Sequence, residues 1–166
     1  MTKPRTHAPK LFIAGQWTDA QSKATREIVH HNGSAVIIPV FSDGRILMER
    51  QYRFAAGKKL WELPAGSIDK GETAFATAKR ELAEETGLVA SELTYLGMVE
   101  RIGDGWHFVI HDFLTHVDAG ARTALRAGDD AAEAHWVRTD QLATQPGLVP
   151  GLLDFLVDHG VVDGCP

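Results

Sequence analysis

Apolar residues come in short runs at strand spacing along most of the chain, with one longer stretch free of Gly and Pro near the middle. Lys10 to Trp17 and Arg26 to His31 read as two strands joined by the polar stretch Thr18 to Thr25. The β-branched run Ser34 to Phe41, the turn signal Ser42-Asp43-Gly44 and a second run from Arg45 to Gln51 predict a hairpin. After a loop over Tyr52 to Lys59, Leu60 to Leu63 forms a short extended piece that Pro64 stops. Thr73 to Thr86 is built from helix formers and closed by Gly87, the residue that a helix stop favours. Glu92 to Arg101 and Trp106 to Val117 then read as long strands around the turn Gly103-Asp104-Gly105. A loop follows over Asp118 to Asp130, then a strand over Glu133 to Val137 and a short helix capped by Thr139 or Asp140. Pro150 to His159 is a last helix, with Leu152, Phe155, Leu156 and Val157 on its apolar side. Many strands with a central and a terminal helix predict a mixed sheet with helices on it, of the α/β or α+β kind.

Length and composition narrow this picture. At 166 residues one compact domain is expected, and 44% hydrophobic with 23% charged residues excludes disorder as the main state. The single cysteine, Cys165, rules out a disulfide scaffold and a cysteine-based zinc site, and a reducing, cytoplasmic setting fits best. Met1 to Lys10 has no apolar stretch of signal-sequence length, and the longest apolar run, Ala35 to Phe41, is too short to span a membrane. The net charge of -5 disfavours non-specific binding to a nucleic-acid backbone. An acidic chain still takes an anionic substrate where a divalent cation stands between them, so the positions of the carboxylates matter more than their total.

Those positions are informative on the central helix. Glu81, Glu84 and Glu85 stand at i, i+3 and i+4 and converge on one patch, while Phe75, Ala78 and Leu82 fall on another face that can pack on a sheet. Like charges at that spacing repel by about 0.2–0.5 kcal/mol per pair even when exposed. Hard oxygen donors suit Mg²⁺ or Mn²⁺, which are held by one or two carboxylates together with phosphate oxygens and water. A solvated acidic helix face is the competing reading of the three glutamates by themselves.

The whole segment is more specific. From Gly66 it runs Gly, five residues, Glu72, seven residues, Arg80-Glu81, an aliphatic, any residue, Glu84-Glu85, any residue, Gly87 and an aliphatic. It matches the Nudix box at every position, and the chain resembles the Nudix hydrolases. The resemblance implies an α/β/α sandwich around a mixed sheet, a bound divalent metal, and hydrolysis of a nucleoside diphosphate linked to another moiety. It also implies that Glu81 and Glu85 are metal ligands, that Glu84 is a third ligand or a base, and that the main-chain carbonyl of Ala65 or Gly66 completes the shell. Arg80 would orient the glutamates and Glu72 would support the box. Gly66 and Gly87 would be positions where a side chain clashes or φ is positive.

Outside the box, Ile28 to Val40, Glu49 to Arg53 and Trp61 to Gly66 are similar to ADP-ribose pyrophosphatases and related nucleotide-sugar hydrolases. That similarity implies cleavage of ADP-ribose to AMP and ribose 5-phosphate by a homodimer whose N-terminal strands, residues 1–33, elaborate a hydrolase domain over residues 34–166. Arg53 and Arg50 would contact phosphate or terminal ribose, and Glu62 would lie near the box; an arginine's planar fork suits phosphate. A loop arginine is the alternative for Arg53, and core or interface positions are the alternative for Trp17 and Trp61 as base-stacking groups. Gly97 to Ile110 and Gly128 to Val137 look more like bacterial Nudix hydrolases of mixed substrate. They favour a second candidate, a house-cleaning hydrolase of nucleoside triphosphates or dinucleotides, with a non-catalytic nucleotide sensor as a third. Asp130, then Glu133, are the expected further carboxylates for a general base, with loop capping or solvation as the alternative. His107 and His111 lie on a strand and His30-His31 are consecutive, so none forms a metal pair.

Overall fold

The computed structural model describes residues 10–13, 16–19, 32–53, 56–103, 106–118, 120, 124–128 and 133–162. They fall into two compact units, residues 1–31 and 32–166. The first unit contains a hairpin in which β1 (Lys10–Ile13) pairs antiparallel with β2 (Gln16–Asp19). The predicted strand Lys10 to Trp17 is therefore two strands, folded back between Ile13 and Gln16. The predicted strand Arg26 to His31 lies outside the described residues.

The second unit is built on a seven-stranded mixed sheet. Its strands are β3 (Ser34–Phe41), β4 (Ile46–Arg53), β5 (Lys58–Glu62), β6 (Ala65–Ser67), β7 (Thr94–Gly103), β8 (Trp106–Val117) and β9 (Glu133–Val137). The hairpin expected around Ser42-Asp43-Gly44 forms, with Gly44 at φ 82° and its N–H bonded to Phe41 O at 2.8 Å. β3 runs parallel to β8 along its whole length, and the other pairings are antiparallel.

Helices cover both faces. Ala35, Ile37 and Leu47 pack against Ala78 and Leu82 of α1 (Ala74–Thr86). On the opposite face Ile38, Ile46 and Met48 pack against Leu152 and Leu156 of α2 (Leu152–Asp158) and Leu142 of a 3-10 helix, Thr139–Thr144. Strand alternation thus feeds two cores, and each fully buried Leu or Ile contributes roughly 1.5–3 kcal/mol. Thr73 caps α1 by accepting from the Ala76 N–H at 3.2 Å, and Gly87 closes it at φ 72°. The 3-10 helix departs from expectation: Arg138, with no side-chain cap, holds its N-cap position, because the Asp140 carboxylate pairs with the Arg138 guanidinium. Among the described residues no helix is long and apolar enough to cross a membrane.

One feature of the sheet positions the box. β4 pairs with β3 only at Val40 and Ile46, beside the turn. Farther on, β6 takes the same edge of β3 at Ser34, Ala35 and Val36, while β5 takes the edge of β4 at Glu49 to Arg53. The strands splay, and the segment β5-Leu63-Pro64-β6 fills the gap, tied by the Ile37 N–H to Pro64 O at 3.0 Å. That delivers Glu62 and Ala65 to the side of the sheet where α1 packs.

Candidate active site

Arg80 is the hub of the α1 carboxylates. Its guanidinium donates to both oxygens of Glu72 at 3.1 and 3.0 Å, to Glu81 Oε1 at 2.7 Å, to Glu84 Oε2 at 3.1 Å and to Ser67 O at 3.2 Å. Glu72 also accepts from the Thr77 hydroxyl at 2.8 Å and the Asp69 N–H at 3.2 Å. The Arg80 fork, then Thr77, holds the Glu72 carboxyl down at about 2, against an ordinary 4.5. As pH falls the unfolded chain binds this proton first, so stability from the pair is complete above about 4.5 and is lost on descent toward 2. Urea midpoints of the wild type and Glu72→Gln are therefore expected to lie apart at pH 7 and to approach each other near pH 2–3.

Glu81 packs onto the backbone of Gly66. A Cβ built on Gly66 would run into the Glu81 carboxylate, so glycine is what lets that carboxylate lie against the backbone here. Burial, partly offset by Arg80, raises the Glu81 pKa. Glu85 points to the splay in the sheet, where its Oε2 accepts from the Ala65 N–H at 3.0 Å. Glu84 is the outermost of the three, with a side chain 61% exposed.

A fourth glutamate joins them. Glu49 on β4 is 1% exposed and bonded to Glu85, and its Oε2 has no hydrogen-bond partner. It faces Glu62 directly across β4 and β5. Burial first, then the charges of Glu85 and Glu62, push the Glu49 carboxyl up to about 8. Glu62 is held by Arg53, whose Nε donates at 3.0 Å and whose Nη2 donates at 2.5 Å.

Four carboxylates (Glu49, Glu62, Glu81 and Glu85) therefore meet two arginines at the junction of α1 and the splayed sheet. Excess negative charge, oxygen-only donors and an orphaned buried oxygen suit a hard divalent cation. Among the described residues no three side chains already form a metal-ligating group. Arg80 and Arg53 instead engage several of these oxygens.

Other residues singled out in the sequence lie elsewhere. Arg50 and Glu133 are register partners one residue out of phase with Glu49, so they share the α2 face of the sheet, where they pair at 2.8 Å. The bond from Arg50 lowers the Glu133 pKa, and His135 reaches the same carboxylate at 3.1 Å. This separates Glu133 from the α1 carboxylates, contrary to its expected place above them. Arg50 also stands over the Trp61 ring at 5.8 Å, and Trp61 packs on the α2-side core. Asp129, Asp130, Cys165 and the side chain of Trp17 lie outside the described residues, as do His30 and His31. His107 pairs with Glu100 at 3.6 Å and His111 with the Tyr95 hydroxyl at 3.2 Å, both as surface sheet residues.

Two buried acids were not singled out by spacing, Glu49 and Asp112. Asp112 on β8 is 4% exposed, and burial raises its carboxyl to about 6 while His159 and Arg101 pull it down. The available signal was local: each interrupts the apolar alternation of a strand, Ile46-Leu47-Met48-Glu49 and Ile110-His111-Asp112-Phe113-Leu114.

The family model described as NUDIX domain matches residues 31–157. Over 68 residues the chain is 52% identical to the ADP-ribose pyrophosphatase of Mycobacterium tuberculosis, covering 40% of this chain and 33% of that protein. Over 69 residues it is 45% identical to the ADP-ribose pyrophosphatase of Bacillus subtilis, covering 42% of this chain and 37% of that protein. The match thus spans about a third of each relative. The crystal structure of the MutT protein from Methanosarcina mazei Go1 superposes with a TM-score of 0.65 at 20% identity, covering 76% of this chain and 91% of that one, a likeness of fold. With the model matching most of its length and the box on α1 intact, the chain belongs to the Nudix family.

Proposed function

We propose that the chain is a metal-dependent pyrophosphohydrolase acting on a nucleoside diphosphate derivative, with ADP-ribose as the first candidate. The observation that carries this reading is the meeting of Glu81 and Glu85 at the Ala65-Gly66 start of β6, with Glu49 bonded to Glu85 and one buried Glu49 oxygen left without a partner. Glu81 and Glu85 would hold Mg²⁺ or Mn²⁺, with Glu84 and the Ala65 or Gly66 carbonyl as further donors. Such an ion lends positive charge to diphosphate oxygens and makes nearby water more acidic. Arg80 keeps the glutamates aligned from behind. Arg53, with a side chain 45% exposed beside the box loop, supplies the planar donors for phosphate. Glu84, the most exposed of the three box glutamates, is either a third ligand or the base that takes the proton of the attacking water. A bond forms between water oxygen and phosphorus, the bridging P–O bond breaks, and ADP-ribose yields AMP and ribose 5-phosphate.

Incubation with Mg²⁺ and a panel of ADP-ribose, nucleotide sugars, nucleoside triphosphates and dinucleoside polyphosphates ranks these substrates by kcat/KM. The expected order puts ADP-ribose first. A triphosphate or dinucleotide in first place would replace ADP-ribose with the house-cleaning reading, and no turnover would favour a sensor. The sequence resemblance also supports a homodimer formed through the N-terminal strands. Sedimentation of the full chain is expected to give twice the 18.1 kDa chain mass, and a monomer would remove that assignment.

A further inference from the structure

Glu85 is tied at both ends. Its carboxylate accepts from the Ala65 N–H at 3.0 Å, and its main-chain carbonyl accepts from the Gly128 N–H at 2.7 Å. The next carbonyl, Thr86 O, accepts from the Arg126 N–H at 3.0 Å. The last carbonyls of a helix have no partner within it, so residues 126–128 supply from outside two of the bonds that the end of α1 needs. Leu125 anchors this segment by packing against the core that holds Leu82 and Leu88.

Capping by itself is an ordinary structural role, and water would fill it as well. The closeness of the contact is what goes further. A Cβ at Gly128 would stand 2.5 Å from Glu84 O and 2.7 Å from Glu85 Cα. Across the same contact, a Cβ at Gly87 would stand 2.9 Å from the Arg126 side chain and 3.0 Å from Ala124 O. Each side thus offers a glycine where the two segments press together. Gly87 is also called for by its φ of 72°, whereas Gly128 has no left-handed φ, so the approach to α1 is the reason for glycine there. The backbone it presses on is that of Glu84 and Glu85, two of the three box glutamates.

We propose that Gly128 is a positioning residue of the cation site: laid against the last turn of α1, residues 126–128 set where Glu84 and Glu85 stand relative to Ala65 and Gly66, and so how tightly the box holds a divalent cation. The proposal rests on the metal-dependent reading of the box. Gly128 acts only through the backbone of the two glutamates. A methyl group added at this position meets main chain, not the free end of a side chain, so relief requires the segment to lift off Glu85 O or the last turn of α1 to move. Residues that hold metal ligands in place are commonly worth about 10–100-fold in metal affinity.

Titration of Mn²⁺ followed by electron paramagnetic resonance, without substrate, tests this apart from turnover. Gly128→Ala is expected to bind Mn²⁺ at least about 10-fold more weakly than wild type. Leu125→Ala, which loosens the anchor without pressing on α1, is expected to shift affinity in the same direction by less. Leu142→Ala opens a cavity in the core on the opposite face of the sheet, and is expected to lower the unfolding midpoint while leaving Mn²⁺ affinity unchanged. Unchanged affinity in Gly128→Ala, or in Leu125→Ala should Gly128→Ala not fold, would overturn the proposal. An equal loss in Leu142→Ala would overturn it too, since metal binding would then follow overall stability. Weakened Mn²⁺ binding by Gly128→Ala, with no turnover of any nucleotide by wild type, would leave the proposal standing and overturn the hydrolase reading. Turnover by wild type with Mn²⁺ affinity untouched by Gly128→Ala would do the reverse, and a wild type that binds no Mn²⁺ would overturn both.

Discussion

Glu85→Gln is expected to lower turnover of the best substrate by at least about 100-fold while leaving the fold intact, because loss of a metal ligand forfeits several kcal/mol of charge stabilisation. Gln keeps the length of the side chain and an oxygen for the Ala65 N–H, which Glu85 accepts at 3.0 Å. It removes only the charge, and that charge is one of the causes of the raised Glu49 pKa. Unfolding midpoints should therefore stay near those of the wild type or rise slightly. Thermal unfolding separates this outcome from a folding defect, and near-normal turnover would take the metal-ligand role away from Glu85.

Gly66→Ala is expected to inactivate as severely by a different route. The new Cβ meets the Glu81 carboxylate. The obstacle is the far end of a flexible side chain, so Glu81 moves and the backbone does not, at a small cost in stability. The displaced carboxylate leaves its place beside the loop and its 2.7 Å bond to Arg80. Turnover should fall by at least about 100-fold with little change in unfolding temperature. Retained activity would mean that the position of Glu81 does not matter to the reaction.

Much of the fold and of the box was legible because both rest on local patterns. The helix closed by Gly87, the hairpin at Ser42-Asp43-Gly44 and the strands Trp106–Val117 and Glu133–Val137 follow from spacing and turn chemistry. The Arg80 hub follows from helical geometry and the box spacing, since Glu84 lies one turn from it. What was not legible depends on strand pairing. Whether Glu133 faces α1 or α2 is decided by its register with Arg50, and a shift of one residue would reverse it. Glu49 and Asp112 look like ordinary strand acids until pairing places one opposite Glu62 and the other between Gly97 and Val36. The 3-10 helix lost its expected cap because Asp140 is pulled back onto Arg138, a competition that no propensity registers.

Phosphorus NMR of ADP-ribose incubated with the full chain tests the central reading most directly. With Mg²⁺ the diphosphate signals should give way to those of AMP and ribose 5-phosphate, and a chelator should stop the change. Diphosphate signals that persist with Mg²⁺, or that decay equally fast in chelator, would contradict metal-dependent pyrophosphate hydrolysis at the α1 carboxylates.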